Sequence, residues 1–562
     1  MMVPLACLGV GRGEKGTRSG AVSSRTRGCP RNCMRRGCAR FEKPLVSAPT
    51  TTGGRFEPGR LGRRSFDPRA RRPAIAVACA RFPGRGVPEV GGPAPHLRRV
   101  DFAMKTGIFV ARLAVAAGLG LGSAAASAEE AEGAPKGFWE RETLTGDWGG
   151  LRTDLAEKGV KVNAAYTAEM LGNASGGIKR RAVGNALLQV DVDADLEQAV
   201  GWKGGAFHVT GLHIQGRQLS ANFIGNLIPV RDIEAAPSTR LFSLWLQQSV
   251  LDDKVSLRFG QLPMQEEFFN SVVATNLINS AFGWPPAFAA NLPSGGGGYP
   301  LSNLGTRLKV QATEDLAVQA GVFTGNVAPG TNVGNDAQKR NRSGIDYTVD
   351  EAPMWMFESQ YGLNQAKGAA GLPTMFKLGG WYYNGRATDQ RYDIAGVSLG
   401  SNAAGAAKTH RGNWAIYGIY DGMLYKEAGT EDLGLSAFLR VTGLPDDRNQ
   451  MPLYVDTGLS YKGPLEGRDD DVVAVGFAFG AMSSSLAARD ADARRFGTAT
   501  APDHDYEAAV ELTYRYQVTP WMTLVPDAQY VIHPGGTTTL PENSRKTIPD
   551  ATVLGLRTVF KL

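Results

Sequence analysis

Between Leu188 and Leu196 the chain reads Leu-Gln-Val-Asp-Val-Asp-Ala-Asp-Leu. Leu188, Val190, Val192, Ala194 and Leu196 therefore share one face of an extended segment, and Gln189, Asp191, Asp193 and Asp195 share the other. A helix would scatter these residues around its axis, whereas a strand sorts them into an apolar and an acidic side. The same period of two returns at Val255/Leu257/Phe259 against Ser256/Arg258, at Leu308/Val310/Ala312 against Lys309/Gln311, and at Leu433/Leu435/Ala437/Leu439/Val441. It returns again at Val473/Val475/Phe477/Phe479 and at Ala508/Val510/Leu512/Tyr514/Tyr516 against Glu507/Glu511/Arg515. Stretches rich in Gly, Asn and Asp separate these segments as turns and loops. The fold class is all-β.

Alternation alone fits a soluble β-sandwich as well as a barrel, since it says only that one face is apolar. The polar faces carry dense charge, which suits a watery lumen, and many spacings between strands exceed the tight turns of a sandwich. After residue 128 no apolar run approaches the roughly 20 residues a membrane helix requires, so a membrane-spanning chain of this kind is a barrel. Leu554, Leu556, Thr558, Phe560 and Leu562 alternate to the last residue, as in barrels recognised by the outer-membrane assembly machinery, although most of those end in Phe. Tyr and Trp cluster near segment ends, at Trp381-Tyr382-Tyr383, Trp414, Tyr417 and Trp521, as expected of girdles at two membrane interfaces. The architecture expected is a transmembrane antiparallel β-barrel, in contact with outer-membrane lipid.

The formal net charge of +7 conceals two unlike regions. Residues 1–103 hold 21 Lys+Arg, 6 Asp+Glu and all five cysteines, Cys7, Cys29, Cys33, Cys38 and Cys79. Rich in Arg, Gly and Pro and poor in large aliphatics, this extension cannot bury enough apolar surface to offset its chain entropy, and is expected to be disordered. Residues 104–128 then read as a secretory signal peptide: Lys105 is basic, Ile108 to Leu121 is apolar but for Arg112, and Ala126-Ser127-Ala128 is a small-residue cleavage site. A signal peptide so deep in a chain points to a misassigned start before Met104. A genuine basic extension or an amino-terminal membrane anchor are the alternatives. Residues 129–562 number 434, with 38 basic and 48 acidic side chains and no cysteine. The acidic balance withdraws support for nucleic-acid binding. The missing thiols exclude disulfide scaffolds, cysteine-based zinc sites and thiol nucleophiles from this part, and suit passage through an oxidising periplasm.

After the cleavage site comes Phe138-Trp-Glu-Arg-Glu-Thr-Leu-Thr-Gly146-Asp147-Trp148-Gly149-Gly150-Leu-Arg152-Thr-Asp154-Leu-Ala-Glu-Lys-Gly159-Val160. Read from the residues, Leu151 to Lys158 form a short helix ended by Gly159, after which Val162, Ala164, Tyr166 and Ala168 take up strand alternation. The segment resembles the opening of the carbohydrate-selective porin family, OprB. Further resemblance lies in Arg258-Phe-Gly260-Gln261, Glu266-Glu267-Phe268-Phe269, Asn279-Ser-Ala-Phe-Gly283-Trp284-Pro285, Tyr299-Pro-Leu301 and Leu554-Gly-Leu-Arg557. It implies a pore of 16 antiparallel strands in residues 161–562, preceded at 129–160 by a helical segment on the periplasmic or lumen side. It also implies small sugars such as glucose as cargo. Sixteen strands leave about 27 residues for each strand and its connection, enough for a span and a loop. Association into homo-oligomers stays open.

A sugar is neutral, thick with hydroxyls and apolar on its C–H faces. A selective channel should therefore offer charged hydrogen-bonding groups and an aromatic at a narrowing, with contacts weak enough to release the cargo. Arg258 and Arg307 lie on polar strand faces, and the intervening connection of about forty residues is too long for a hairpin turn, so it is expected to fold inward or cap the pore. Within it Gln261, Glu266, Glu267 and Asn270 are candidate constriction groups and Trp284 a stacking surface, with Arg217 and Asp191 as outlying candidates. Each also has an ordinary reading as a solvated loop charge or structural residue.

Catalytic patterns are weaker. Gly396-Val-Ser398-Leu-Gly400 matches G-x-S-x-G, but the small-residue stretch that follows has no helical apolar stripe. His208 and His213, five apart on a strand, point to opposite faces and share no metal site. Glu266 and Glu267 are adjacent on one segment and cannot straddle a glycosidic bond unaided. No cofactor and no enzymatic activity are expected. The rival to a sugar porin is an outer-membrane barrel enzyme or a nonselective, blocked barrel.

Overall fold

The computed structural model describes residues 137–562 apart from 331–335 and 498–499; the basic extension and the signal-peptide reading lie outside these residues. Helix α1, Leu151–Glu157, ends where Gly159 takes a positive φ of 79°. A Cβ there would sit 2.8 Å from the Asp195 carbonyl, so only glycine allows the chain to turn so closely into the first strand. The strands follow in hairpin succession: β1 Val160–Ser175, β2 Ala182–Asp195, β3 Gly205–Gly216, β4 Ser238–Val250, β5 Val255–Leu262, β6 Asn303–Gln311, β7 Leu316–Thr324 and β8 Pro353–Leu363. Then come β9 Thr374–Asp393, β10 Ala407–Lys426, β11 Gly434–Gly443, β12 Leu453–Lys462, β13 Val472–Ala481, β14 Tyr506–Thr519, β15 Met522–Ile532 and a C-terminal strand Ala551–Lys561. Among the described residues these sixteen strands close into an antiparallel barrel, each paired with its neighbours in sequence and the C-terminal strand paired back to β1 through Tyr166↔Phe560.

Closure abolishes sheet edges, so every strand can pair its backbone within the apolar phase of a membrane. Val190, Leu257, Leu308, Phe357, Leu378, Val475, Leu512 and Leu556 stand exposed on the outer face, forming the apolar band that lipid requires. Short connections such as 251–254, 312–315 and 520–521 gather at the end where β1 begins. The long ones, 217–237, 263–302, 325–352 and 482–505, gather at the other. Outer-membrane barrels keep short turns on the periplasmic side, which sets the orientation.

The segment before β1 is clipped to the periplasmic rim rather than packed in the lumen. The Leu144 amide donates to the Lys561 carbonyl (2.7 Å) and Arg152 to that of Leu562 (2.9 Å), while α1 buries no residue. Trp521 donates to the Phe138 carbonyl and stacks with both Trp139 and Phe560.

The girdle expectation holds for only part of the aromatics. Tyr382 and Trp414 face outward, but Trp381, Tyr383 and Tyr417 turn inward and are buried. They are buried because segment 263–302 enters the barrel. Its Met264, Phe268, Phe269, Leu277, Phe282 and Phe288 form one apolar cluster with inward side chains of β7–β14, among them Phe323, Met354, Met356, Trp381, Tyr417, Phe438 and Tyr454. Burying each large side chain contributes about 1.5–3 kcal/mol, so the segment is held by the wall rather than lying loosely in the lumen. A second inserted loop, 217–237, covers the external halves of β1–β4, β15 and the C-terminal strand through Leu219, Ile224, Val230 and Ile233.

Candidate functional site

β5 and β6 are paired with Arg258 opposite Arg307, so alternation sends both side chains inward side by side. Two adjacent guanidinium groups repel unless a carboxylate intervenes. Glu267, on the inserted segment, accepts from Arg258 Nη1 at 2.5 Å through one oxygen and from Arg307 Nε at 2.8 Å through the other. The Gln247 amide oxygen on β4 accepts from Arg258 at 2.8 and 3.0 Å and from Arg307 at 3.2 Å. Glu267 and Arg307 are buried, each side chain about 5% exposed, while Arg258 retains 20%. Arg258 is thus the member of the trio that water reaches.

Arg258 lies flat on Trp245, its guanidinium carbon 3.6 Å from the ring centroid, and His208 stacks on the same indole at 4.9 Å. Behind His208 the network continues through Asp193 (2.6 Å), Thr210 (2.8 Å) and, from the Thr210 hydroxyl, to Asp191 (2.6 Å). Glu266 is exposed beside this array. Enclosure by the wall raises its carboxyl from the ordinary range to about 7, with the Glu267 and Asp191 carboxylates adding to the rise and Arg258 opposing it. A chamber of about 440 Å³ opens toward the periplasm between Lys161, Asp193, Trp245, Gln247 and Ser249.

The structure brings Arg258, Arg307, Glu266, Glu267 and Asp191 to one place. The other candidates go elsewhere. Gln261 is buried in the wall, its amide nitrogen donating to the Leu241 and Phe242 carbonyls and to Ser302. Asn270 is a latch, accepting from Lys377 on β9 through its carbonyl (2.9 Å) and side chain (2.5 Å). Trp284 is buried, donating to the Gly295 carbonyl and packing edge-on to Phe288. Arg217 lies beyond the external end of β3, in a hollow with Arg181 and Phe223. Ser398 sits in loop 394–406, where its hydroxyl accepts from Gly400 (3.2 Å); it does not stand on a strand-to-helix elbow.

Sequence reading missed the wall groups that grip the inserted loops. Glu358 accepts from the Phe269 amide (3.0 Å) and from the Tyr417 hydroxyl (2.8 Å). Glu511 accepts from the amides of Ile278 (2.6 Å) and Asn279 (3.0 Å), and Glu507 from those of Leu227 (2.8 Å) and Ile228 (2.6 Å). Arg440, paired with Asp456, donates to the carbonyls of Phe269, Ala281 and Gly283. Sequence period marks these residues as inward-facing; it cannot say that a loop will meet them.

A closed sixteen-stranded barrel with a lipid-facing apolar band and loops folded into a charged lumen defines a porin of the bacterial outer membrane. The family model "Carbohydrate-selective porin, OprB family" matches residues 182–562, and the chain belongs to that family. Porin B of Pseudomonas aeruginosa is 28% identical over 441 residues, covering 74% of this chain and 91% of that protein. The putative porin QuiX of Acinetobacter baylyi is 24% identical, over 75% and 93% of the two chains. The high-pH structure of Pseudomonas putida OprB superposes with a TM-score of 0.68 at 24% identity, covering 76% of this chain and all of that one, and attests the shared fold.

Proposed function

We propose that this porin passes small neutral, glucose-like sugars along the β1–β6 side of the lumen, past a charged constriction formed by Arg258, Glu266, Glu267 and Asp191. The observation that carries this reading is the placement of Arg258. It is part-exposed and held on Trp245 and by Gln247 and Glu267, and Trp245 and Gln247 in turn line the periplasmic chamber. Opposed fixed donors and acceptors can exchange a sugar's hydroxyls for water without holding them tightly, which conduction requires. Arg307 supports from behind by sharing Glu267.

The test is conductance in planar bilayers. Added glucose should reduce the current of discrete channels, and Arg258→Ala should weaken that block severalfold while the protein keeps its heat-modifiable migration on gels. Channels indifferent to every sugar would overturn the selectivity, and an unchanged block in the variant would remove Arg258 from the constriction.

A further inference from the structure

At the external end, a second cavity of about 510 Å³ lies between loops 217–237 and 263–302 and residues 336–338, within the roughly 300–1,000 Å³ typical of small-molecule sites. Its wall carries polar groups that keep hydrogen-bonding capacity beyond what holds the loops together. Gln265 accepts from the Tyr299 amide (2.8 Å) and Gln338 from the Ala236 amide (2.6 Å) through their side-chain oxygens, which leaves each amide nitrogen without an acceptor among the described residues. Asp232, paired with Arg557, keeps 40% of its side chain exposed on the same cavity. Beneath lies Arg231, fully buried, with carboxylates only at 3.5 and 4.0 Å and no acceptor for its Nε or Nη2. The wall opposite is glycine. A Cβ at Gly298 would fall 2.3 Å from Trp284, so the run 295–298 holds bare backbone against the indole and keeps the space open.

We infer that this cavity is a capture site for a neutral polyol, separate from the constriction and upstream of it. The inference rests on the sugar-porin reading above. Free amide N–H groups beside a carboxylate match a hydroxyl, which accepts and donates at once. The charges lining the cavity argue for a neutral ligand: Asp232 is paired with Arg557, Asp336 with Lys339 and Glu234 with the fully buried Arg231, so an anionic sugar acid or phosphate finds no exposed cation among the described lining residues.

Ala289 is exposed on the cavity and offers a steric test. Glucose added to the loop side of bilayer channels should block in two saturable phases. Ala289→Trp should raise the half-saturating concentration of one phase about tenfold, equivalent to about 1.4 kcal/mol, and spare the phase that Arg258→Ala removes. Gln265→Met, which keeps the side-chain volume, should weaken the same phase if the tryptophan variant fails to fold. Gluconate should not compete in that phase. A single phase lost in Arg258→Ala and untouched by both cavity variants would overturn the capture site while leaving the constriction intact, and equal competition by gluconate would overturn the neutral-polyol assignment. No block by glucose in any phase would instead overturn the porin's sugar selectivity.

Discussion

Along β7–β14 the inner wall meets segment 263–302 through Met, Phe, Trp and Tyr side chains, whereas at the periplasmic ends of β1–β4 it borders an open chamber through Lys, Asp, Gln, Ser and Trp. The two halves share a backbone architecture and differ in what their inward positions ask for. The first is a protein core that happens to lie inside a barrel, and the second is a channel surface. A lumen wide enough for sixteen strands is thereby narrowed from one side, and the narrowing is as rigid as the packing behind it.

That contrast can be broken most severely at Arg440. Arg440 and Asp456 are both fully buried, and the guanidinium also satisfies three carbonyls of the inserted segment. Arg440→Ala strands a buried carboxylate and frees the loop, at a cost of about 3–5 kcal/mol. The variant should lose its compact gel migration at a lower temperature and show larger, noisier channels. Unchanged conductance would mean that the segment stays in place without this anchor. Phe288→Ala attacks the same half by packing alone. The ring touches Phe269, Trp284, Trp381 and Tyr417, and its loss should cost about 3–5 kcal/mol before any relaxation, with a smaller rise in conductance because the polar latches remain.

The two halves also differ in how legible they were. β2 alternates cleanly because one face meets lipid and the other water, so its period of two gave both the strand and its inward Asp191. β8 reads Pro-Met-Trp-Met-Phe and β10 Trp-Ala-Ile-Tyr-Gly-Ile-Tyr, apolar on both faces, because one face meets lipid and the other the inserted segment. Such runs signal double burial, and this is why Trp381, Tyr383 and Tyr417 read as girdle residues when they are core. That segment 263–302 would fold inward or cap the pore followed from its length, and the inward placement of Arg258 and Arg307 from their strand faces, while their direct pairing appeared only in the structure. The roles of Gln261, Asn270 and Trp284 did not follow, because a connection's sequence does not say which of its side chains the wall will take.

On the polar half the largest expected effect is electrical. Glu267 is the carboxylate shared by Arg258 and Arg307, so Glu267→Gln leaves two guanidinium groups without it. The reversal potential in a salt gradient should move severalfold toward anion permeability, and because Arg307 is buried the variant should also lose thermal stability, by less than Arg440→Ala since Gln247 still accepts from both guanidinium groups. A shift toward cations would show that these arginines do not face the permeating ions.

The smallest effect comes from Glu266, whose carboxylate makes no side-chain hydrogen bond among the described residues. With its carboxyl raised to about 7, it is charged above that pH and neutral below it. Cation preference should therefore be highest in alkaline solution and fall as pH drops through about 7. Glu266→Gln should flatten this step and sit near the low-pH value throughout. Because the neighbouring Glu267 is tied to two arginines and Glu266 is not, the difference between the two variants separates charge that sets the resting field from charge that titrates within it. A step that persists in Glu266→Gln would show that the titrating group is not Glu266.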